Sequence, residues 1–489
     1  MSRHPGRPIW PKVRPGFVKE ALAGHSALGL FAGAMIYLVC LSGTVAVFVA
    51  DLRAWEAPQA PRIETVGAAA IDRAVARATA DDAVSAVYVM LPRMVAGRMT
   101  VAAYGGKAEA TQWVGPGGAS FGELKTPWTD FVDGLHMYLT LPRTIGMIAV
   151  GLVGVMLLTL LISGVLAHPR AFRDAFTLRL GGSKRIQEAD LHNRLSIWGL
   201  PFHLTVTLTG TFFGLANLLA LALATAAYDG DVAKVYAPLE GPAARAAASP
   251  PPPMGPIFAQ LGVVDPARQV NYVGIEQPGK AGQRIAVELA APDRLPRGDR
   301  WFFDGAGKLI GRDGGATGSV GAQTYAAVAT LHFGSFGGWP VRLVYGVLGL
   351  ALTAIAAGGL SIWFARRRDA GRPAPRLESA WLGWVWGVPA AMTVSALATG
   401  AAAPTLVFWP LAILLAAGAA VLGRPKAAAR SGRFALGVSL MALSVAYASR
   451  HPGPAQTVSA GAVQALCLLL GLGLVAGVMR GLRGRWIGG

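Results

Sequence analysis

Two histidines in this sequence stand at the same distance before the same short motif. Ser-Gly-Thr at 42–44 begins 17 residues after His25, and Thr-Gly-Thr at 209–211 begins 17 residues after His192. Both motifs lie inside long apolar runs, where an imidazole is costly and needs a partner. Such a histidine is a candidate for function, and the neutral imidazole ring is the commonest metal ligand in proteins.

A second pair of histidines follows two polar stretches. His136 lies in LHMYLTLPRTIG and His332 in LHFGSFGGWPVRLVYG, so a Leu-His pair recurs after each stretch. The repeated unit is therefore an apolar helix, a polar stretch and a second apolar helix. Because both copies begin on the same side, the sequence predicts parallel repeats about a pseudo-twofold axis along the membrane normal.

Symmetric histidine pairs suit one kind of chemistry in particular. Bis-histidine ligation of a haem requires one imidazole on each face of a flat macrocycle. The repeat predicts one pair from His25 and His192 and another from His136 and His332, which would hold two stacked b-type haems. The chain has no Cys-x-x-Cys-His, so these haems would be held non-covalently.

Two further histidines break the repeat. His203 follows His192 by eleven residues, which on one continuous helix is about 16 Å along nearly the same face, and Ile36 takes its place in the first copy. His168 also lacks a counterpart, since Phe364 occupies the matching position. Either could be an asymmetric ligand. All of these histidines could instead lie in the headgroup zone, bonded to water or backbone without any cofactor.

The composition indicates that membrane-spanning helices must position these histidines. The chain has 489 residues, of which 53% are hydrophobic and 14% charged. About eight apolar runs approach the roughly 20 residues that a helix needs to cross a bilayer. The sequence therefore predicts an all-α polytopic membrane protein with an internal parallel repeat.

The net charge of +18 reflects topology rather than nucleic-acid binding. Basic residues concentrate in alternate connections between spans, which under the positive-inside rule face the cytoplasm, together with both termini. We therefore expect a bacterial cytoplasmic-membrane protein with no nucleic-acid partner. The predicted order is a cytoplasmic N-terminus at 1–24, a span at 25–50, an outer module at 51–135, a span at 136–168, a basic cytoplasmic loop at 169–191, a span at 192–225, an outer module at 226–331, a span at 332–364, a cytoplasmic loop at 365–379 and a C-terminal four-helix region at 380–489.

The two outer stretches read as small α+β modules. In the first, IDRAVARATA has helical spacing, and VSAVYVML and RMTVAAY read as strands. In the second, QRIAVELA reads as a strand, and RWFFDGAGKLIG contains a hairpin turn. No Walker A motif, dinucleotide fingerprint or nucleophile elbow occurs in a suitable context, which argues against nicotinamide, ATP or hydrolase chemistry.

At these residues the sequence resembles the PepSY-associated transmembrane helix family, bacterial inner-membrane proteins that include siderophore-iron reductases. The resemblance covers roughly residues 20–365 and is carried by LHMYL, SGVLAHPRAFRDAF, DLHNRLSIWGLPFHLTVTLTGT and LHFGSFGG. It implies that the repeated histidines match haem-ligating positions and that the outer modules are periplasmic PepSY-like domains. It also implies electron transfer outward to a periplasmic ferric chelate or siderophore. We expect the electrons to come from a quinol or a cytoplasmic reductase.

Two other functions remain compatible with the sequence. One is a cofactor-free membrane scaffold whose outer modules bind or restrain a periplasmic protein. The other is an accessory subunit of a permease for iron or another small solute. An optical spectrum distinguishes both from a di-haem protein, because only the di-haem protein would show haem bands.

Overall fold

Eight helices are long and apolar enough to cross a membrane in the part of the chain that the structure describes. That structure is a computed structural model, and it describes residues 14–106, 109–167, 184–245, 247–452 and 458–486. The prediction of a polytopic helical membrane protein with about eight spans is confirmed. The spanning helices belong to two repeated copies and a C-terminal bundle.

The first copy begins with one long helix and ends with another. Its elements are α1 (Pro15–Ala46), α2 (Val49–Glu56), α3 (Ala68–Ala78), β1 (Ala86–Met90), β2 (Met99–Tyr104), β3 (Ala110–Val114), β4 (Ser120–Glu123), α4 (Pro127–Tyr138) and α5 (Arg143–Ala167). The spanning helices α1 and α5 pack against each other.

The second copy repeats this order with extra short helices. Its elements are α6 (Lys184–Trp198), α7 (Leu200–Ala227), α8 (Val232–Glu240), α9 (Met254–Gln260), α10 (Pro266–Gln269), β5 (Val270–Glu276), β6 (Arg284–Ala290), β7 (Gly298–Asp304), β8 (Leu309–Arg312), α11 (Val320–Phe333) and α12 (Gly338–Asp369). The C-terminal bundle consists of α13 (Pro375–Leu397), α14 (Pro404–Leu422), α15 (Pro425–Arg450) and α16 (Val458–Trp486).

The two polar modules form a single antiparallel sheet. Its strand order is β4-β3-β2-β1-β5-β6-β7-β8, so β1 of the first copy pairs with β5 of the second. Tyr88 lies opposite Gly274 at the centre of that pairing, as expected where a twofold axis passes through a sheet. Helices α3 and α9 cover one face of the sheet and bury its apolar side chains, including Val89 and Val273. The predicted α+β modules are therefore two halves of one layer.

Three of the four paired histidines lie on short helices that precede the spans. The chain breaks between α4 and α5, between α6 and α7 at Gly199, and between α11 and α12. The predicted spans at 136–168, 192–225 and 332–364 thus differ from the observed helices, which begin at Arg143, Leu200 and Gly338. Glycine or proline stands at each break, as at Pro142, Gly199 and Gly337.

The two repeats build the break before their last span differently. After α11, the positions with positive φ are three glycines, Gly334, Gly337 and Gly338, with φ of 60°, 61° and 65°. After α4, they are Leu139 and Thr140, with φ of 54° and 55°. A left-handed conformation costs a residue with a side chain roughly 1–2 kcal/mol, whereas glycine adopts it freely. The first copy must therefore hold this break with contacts from elsewhere.

A largely buried ion pair between α2 and α12 joins the two copies. Arg342 Nη1 of α12 lies 2.5 Å from Asp51 Oδ2 of α2, and Asp51 is 7% exposed. Removing one partner of a buried pair leaves the other charge uncompensated, which costs about 3–5 kcal/mol.

We expect Asp51→Asn to lower the midpoint of thermal unfolding in detergent by several degrees, because Arg342 would lose its carboxylate. Glu123→Gln is the matched control, since Glu123 pairs with Lys125 at 3.0 Å while both side chains are more than half exposed. Such exposed pairs contribute about 0–1 kcal/mol. Equal losses in the two variants would contradict the structural role of the buried pair.

Candidate functional site

The paired histidines line two cavities within the helices of the repeats. His25 and His192 line the first, which we call the sheet-distal cavity; α1, α5, α6 and α12 form its walls. His136 and His332 line the second, which we call the sheet-proximal cavity, since both residues lie on the helices that follow the sheet. Each cavity thus receives one histidine from each copy, as the repeat predicts.

Both histidines of the sheet-distal cavity are oriented through Nδ1. His192 Nδ1 lies 3.1 Å from the carbonyl oxygen of Ile355, which can only accept a hydrogen bond. His25 Nδ1 lies 3.1 Å from Ser163 Oγ, and that hydroxyl donates its own proton to the Leu160 carbonyl at 3.2 Å. The carbonyl partner makes Nδ1 the protonated nitrogen of His192, and the lone pair of that neutral imidazole then lies on Nε2.

The same arrangement recurs in the sheet-proximal cavity. His136 Nδ1 donates to the Val39 carbonyl at 3.0 Å. His332 Nδ1 donates to Thr209 Oγ1 at 3.0 Å, because that hydroxyl itself donates to the Thr205 carbonyl at 2.6 Å. Anchoring Nδ1 in this way fixes the tautomer and the ring orientation of a metal-binding histidine.

The spacing of the sheet-proximal pair suits two ligands of one metal. The ring centroids of His136 and His332 are 6.1 Å apart, and the ring planes differ by 16°. Because a metal–imidazole bond is about 2 Å long and a ring nitrogen lies about 1 Å from the ring centre, two axial ligands have centroids roughly 6 Å apart. Within the described residues, no group of three or more His, Cys, Asp or Glu side chains could hold a metal ion.

The middle glycine of each repeated motif makes room for a histidine of its own copy. A Cβ on Gly43 would lie 2.5 Å from His136 Cε1, and a Cβ on Gly210 would lie 2.9 Å from His332 Cε1. Both distances are shorter than real Cβ contacts, so any larger residue would displace the ring. This packing gives the motif spacing a physical reason: the glycine admits the ring, and in the second copy the threonine before it orients the ring.

A thin apolar layer separates the two cavities. Ile36, Leu157 and Leu352 line both of them, so the cavities lie next to each other along the helices. Their other walls are largely apolar helix faces, such as those of α5 and α12. The space between the two histidine pairs is therefore lined mainly by apolar side chains.

His203 and His168 do not join this arrangement in the described residues. His203 is fully buried, its Nε2 lies 3.4 Å from the Leu348 carbonyl, and its Nδ1 has no hydrogen-bond partner within the described residues. Neither cavity has His203 among its described lining residues. Gly199 separates α6, which carries His192, from α7, which carries His203. His168 lies outside the described residues.

The helix that carries His136 is capped by a half-buried carboxylate. Glu56 of α2 accepts hydrogen bonds from the backbone N–H groups of Trp128 and Thr129, both at 2.9 Å. Burial raises the pKa of the Glu56 carboxyl, and these two N–H donors oppose that shift. The cap ties the start of α4 to the end of the first copy's opening helices.

Comparison with known families agrees with this division of the chain. A family described as the PepSY-associated TM region matches residues 22–366. The chain belongs to this family. The PepSY-associated region contains both cavities, all four paired histidines and the whole sheet, whereas α13 to α16 lie outside it.

One similar protein is an uncharacterized protein of Pseudomonas aeruginosa. It is 30% identical over 267 residues, which is 50% of this chain and 65% of that protein. The chain thus spans just under two thirds of the length of this relative.

Proposed function

We propose that this multi-pass membrane protein carries electrons across the bilayer through two non-covalently held b-type haems, one in each cavity. The observation that carries the proposal is the set of four histidines, one from each copy in each cavity, all anchored through Nδ1. A haem bound in each cavity would accept and release one electron at a time.

The chain's own residues would bind, orient and insulate these groups. Paired imidazoles would supply the two axial nitrogens, and Gly43 and Gly210 would let the rings reach the cavity. The hydrogen bonds at Nδ1 make each imidazole a better donor to a metal, which is one way in which a protein adjusts a reduction potential. The shared apolar layer would keep water away from the space between the two sites.

The direction of transfer follows from charge. Arg366, Arg367 and Arg368 end α12, and Arg366 also lines the sheet-distal cavity. Arg185, near the start of α6, pairs with Asp369 at 2.7 Å. Under the positive-inside rule, this end would face the cytoplasm and the sheet would lie outside the bacterial inner membrane. Electrons would then enter from a quinol or a cytoplasmic reductase and leave toward the sheet. A periplasmic ferric chelate, such as a siderophore complex, is the acceptor that the family resemblance supports.

A single preparation tests the proposal. The purified protein is expected to show a Soret band, sharp reduced α-bands and two haem equivalents per chain. Liposomes are prepared with a quinol inside and with ferric citrate and a ferrous-specific chelator outside. The coloured ferrous complex of the chelator is expected to form only when the protein is present. A colourless, correctly folded preparation that binds no added haem would reject the proposal and favour a cofactor-free scaffold.

A further inference from the structure

Of the short helices α4, α6 and α11, which carry His136, His192 and His332, α4 is the one that no glycine directly follows, and the C-terminal bundle contacts it. We propose that α13 and α14 position His136 by locking the backbone break that follows α4. This inference rests on the proposed function, because the ring that they position is a proposed haem ligand. It assigns a role to helices that lie outside the PepSY-associated region.

The first contact acts on the break itself. Thr140 lies one helical turn beyond His136 and adopts a left-handed conformation directly after Leu139, which does the same. Trp409 of α14 donates its indole N–H to Thr140 Oγ1 at 2.8 Å. The bond joins a spanning helix of the C-terminal bundle to the strained residue. In the second copy, glycines serve at the corresponding break and carry no such strain.

Further contacts hold the rest of α4. Phe408, next to Trp409, packs on Phe131 with ring centroids 5.2 Å apart. At the start of the helix, Trp128 donates its indole N–H to the Met392 carbonyl of α13 at 2.9 Å. Contacts from α13 and α14, which pack against each other, thus reach the start and the middle of α4 and the break that follows it.

These contacts with α4 affect His136 because its ring cannot change orientation independently of the helix. His136 is held between the Val39 carbonyl and the surface of Gly43, so a small rotation of α4 must change the ring orientation or break the Nδ1 bond. The angle between the two imidazole planes, 16° in the structure, would change with it. Trp409 and Thr140 are therefore positioning residues, since neither is a proposed ligand.

The test uses a His192→Ala background. This substitution removes one proposed ligand of the sheet-distal haem, so that only the sheet-proximal haem is measured. Trp409→Phe and Thr140→Val each delete the indole–hydroxyl bond, and Thr140→Ser keeps it. We expect both deletions to shift the low-field EPR g value and the midpoint potential of the remaining haem, and the serine variant to restore both. Trp384→Phe is the matched control, because Trp384 donates to the Ala34 carbonyl of α1 at 3.1 Å, away from α4.

The outcomes separate this inference from the proposed function. If wild-type protein binds no haem, the proposed function fails first. If haem binds but the g value and potential are the same in Trp409→Phe, Thr140→Val and the parent, the positioning role is wrong and the proposed function stands. Equal shifts in Trp384→Phe would also overturn it, since they would show a general loosening of the bundle. Because the two deletions remove one bond, combining them is expected to add nothing further.

Discussion

Replacing His332 with alanine is expected to remove one of two haem equivalents, and adding His136→Ala is expected to remove no more. Both rings would ligate the same iron, so the loss of either partner leaves a single axial ligand in the sheet-proximal cavity. The effect of the double variant is then far from additive. Combining His332→Ala with His192→Ala is expected to remove both equivalents, because these residues line different cavities. The haem-to-protein ratio measures each outcome.

The pairing has its own control and its own point of failure. His203→Leu is expected to keep two equivalents, since His203 is buried beside Leu348 and lines neither cavity within the described residues. If His136→Ala and His332→Ala instead remove different equivalents, the two residues serve different haems. If His203→Leu removes one, an asymmetric ligand set replaces the symmetric one.

A graded series at the glycines is expected to reduce haem binding in proportion to the clash with each histidine. Gly43→Ala would place a Cβ 2.5 Å from His136 Cε1, and Gly210→Ala would place one 2.9 Å from His332 Cε1. Gly359→Ala reaches only 3.5 Å from His192 Cε1, which is an ordinary contact. We expect the first variant to lose most of one haem equivalent, the second to lose less, and the third to keep both.

The control for this series lies in the same helix as Gly43. Gly24→Ala adds a Cβ with nothing within 4 Å, so it changes only the helix propensity of α1. Spectra should match those of the wild type. Equal haem loss in Gly24→Ala and Gly43→Ala would show that the effect comes from the helix rather than from the ring contact.

The sequence predicts the histidine pairs because their offsets repeat. A spacing of 17 residues to a Gly-centred motif occurs twice in the sequence. In the structure, the two histidines of the sheet-proximal cavity, His136 and His332, each pack against the glycine of the motif in their own copy. The hydrogen-bond partners are harder to predict. The Val39 and Ile355 carbonyls are backbone groups, which every residue carries. The residue types at these positions therefore do not indicate that they bind a histidine.

The breaks before the spans were not predictable from hydropathy. Leu139 and Thr140 are ordinary residues for an apolar run, and their left-handed conformation depends on tertiary contacts such as the bond from Trp409. The break at Gly199 lies between the polar helix α6 and the apolar helix α7. His203 stands out as a ligand candidate in the sequence because one continuous helix would align it with His192, whereas in the structure it lines neither cavity within the described residues.

The joining of β1 to β5 depends on segments that are far apart in the chain. Each module alone reads as a complete α+β unit, and nothing in its strands identifies the partner of its edge. Only the repeat indicates that equivalent edges could meet at an axis.

That junction makes the duplicated chain behave as a dimer made of one polypeptide. Either half by itself would leave the backbone N–H and C=O groups along β1 or β5 without hydrogen-bond partners. It would also supply just one imidazole of each histidine pair. Because neighbouring strands fuse the halves at the symmetry axis, a fixed one-to-one stoichiometry is built into the molecule. The two halves can then diverge in sequence, as they have at the ends of α4 and α11, because each half always pairs with the other half of its own chain.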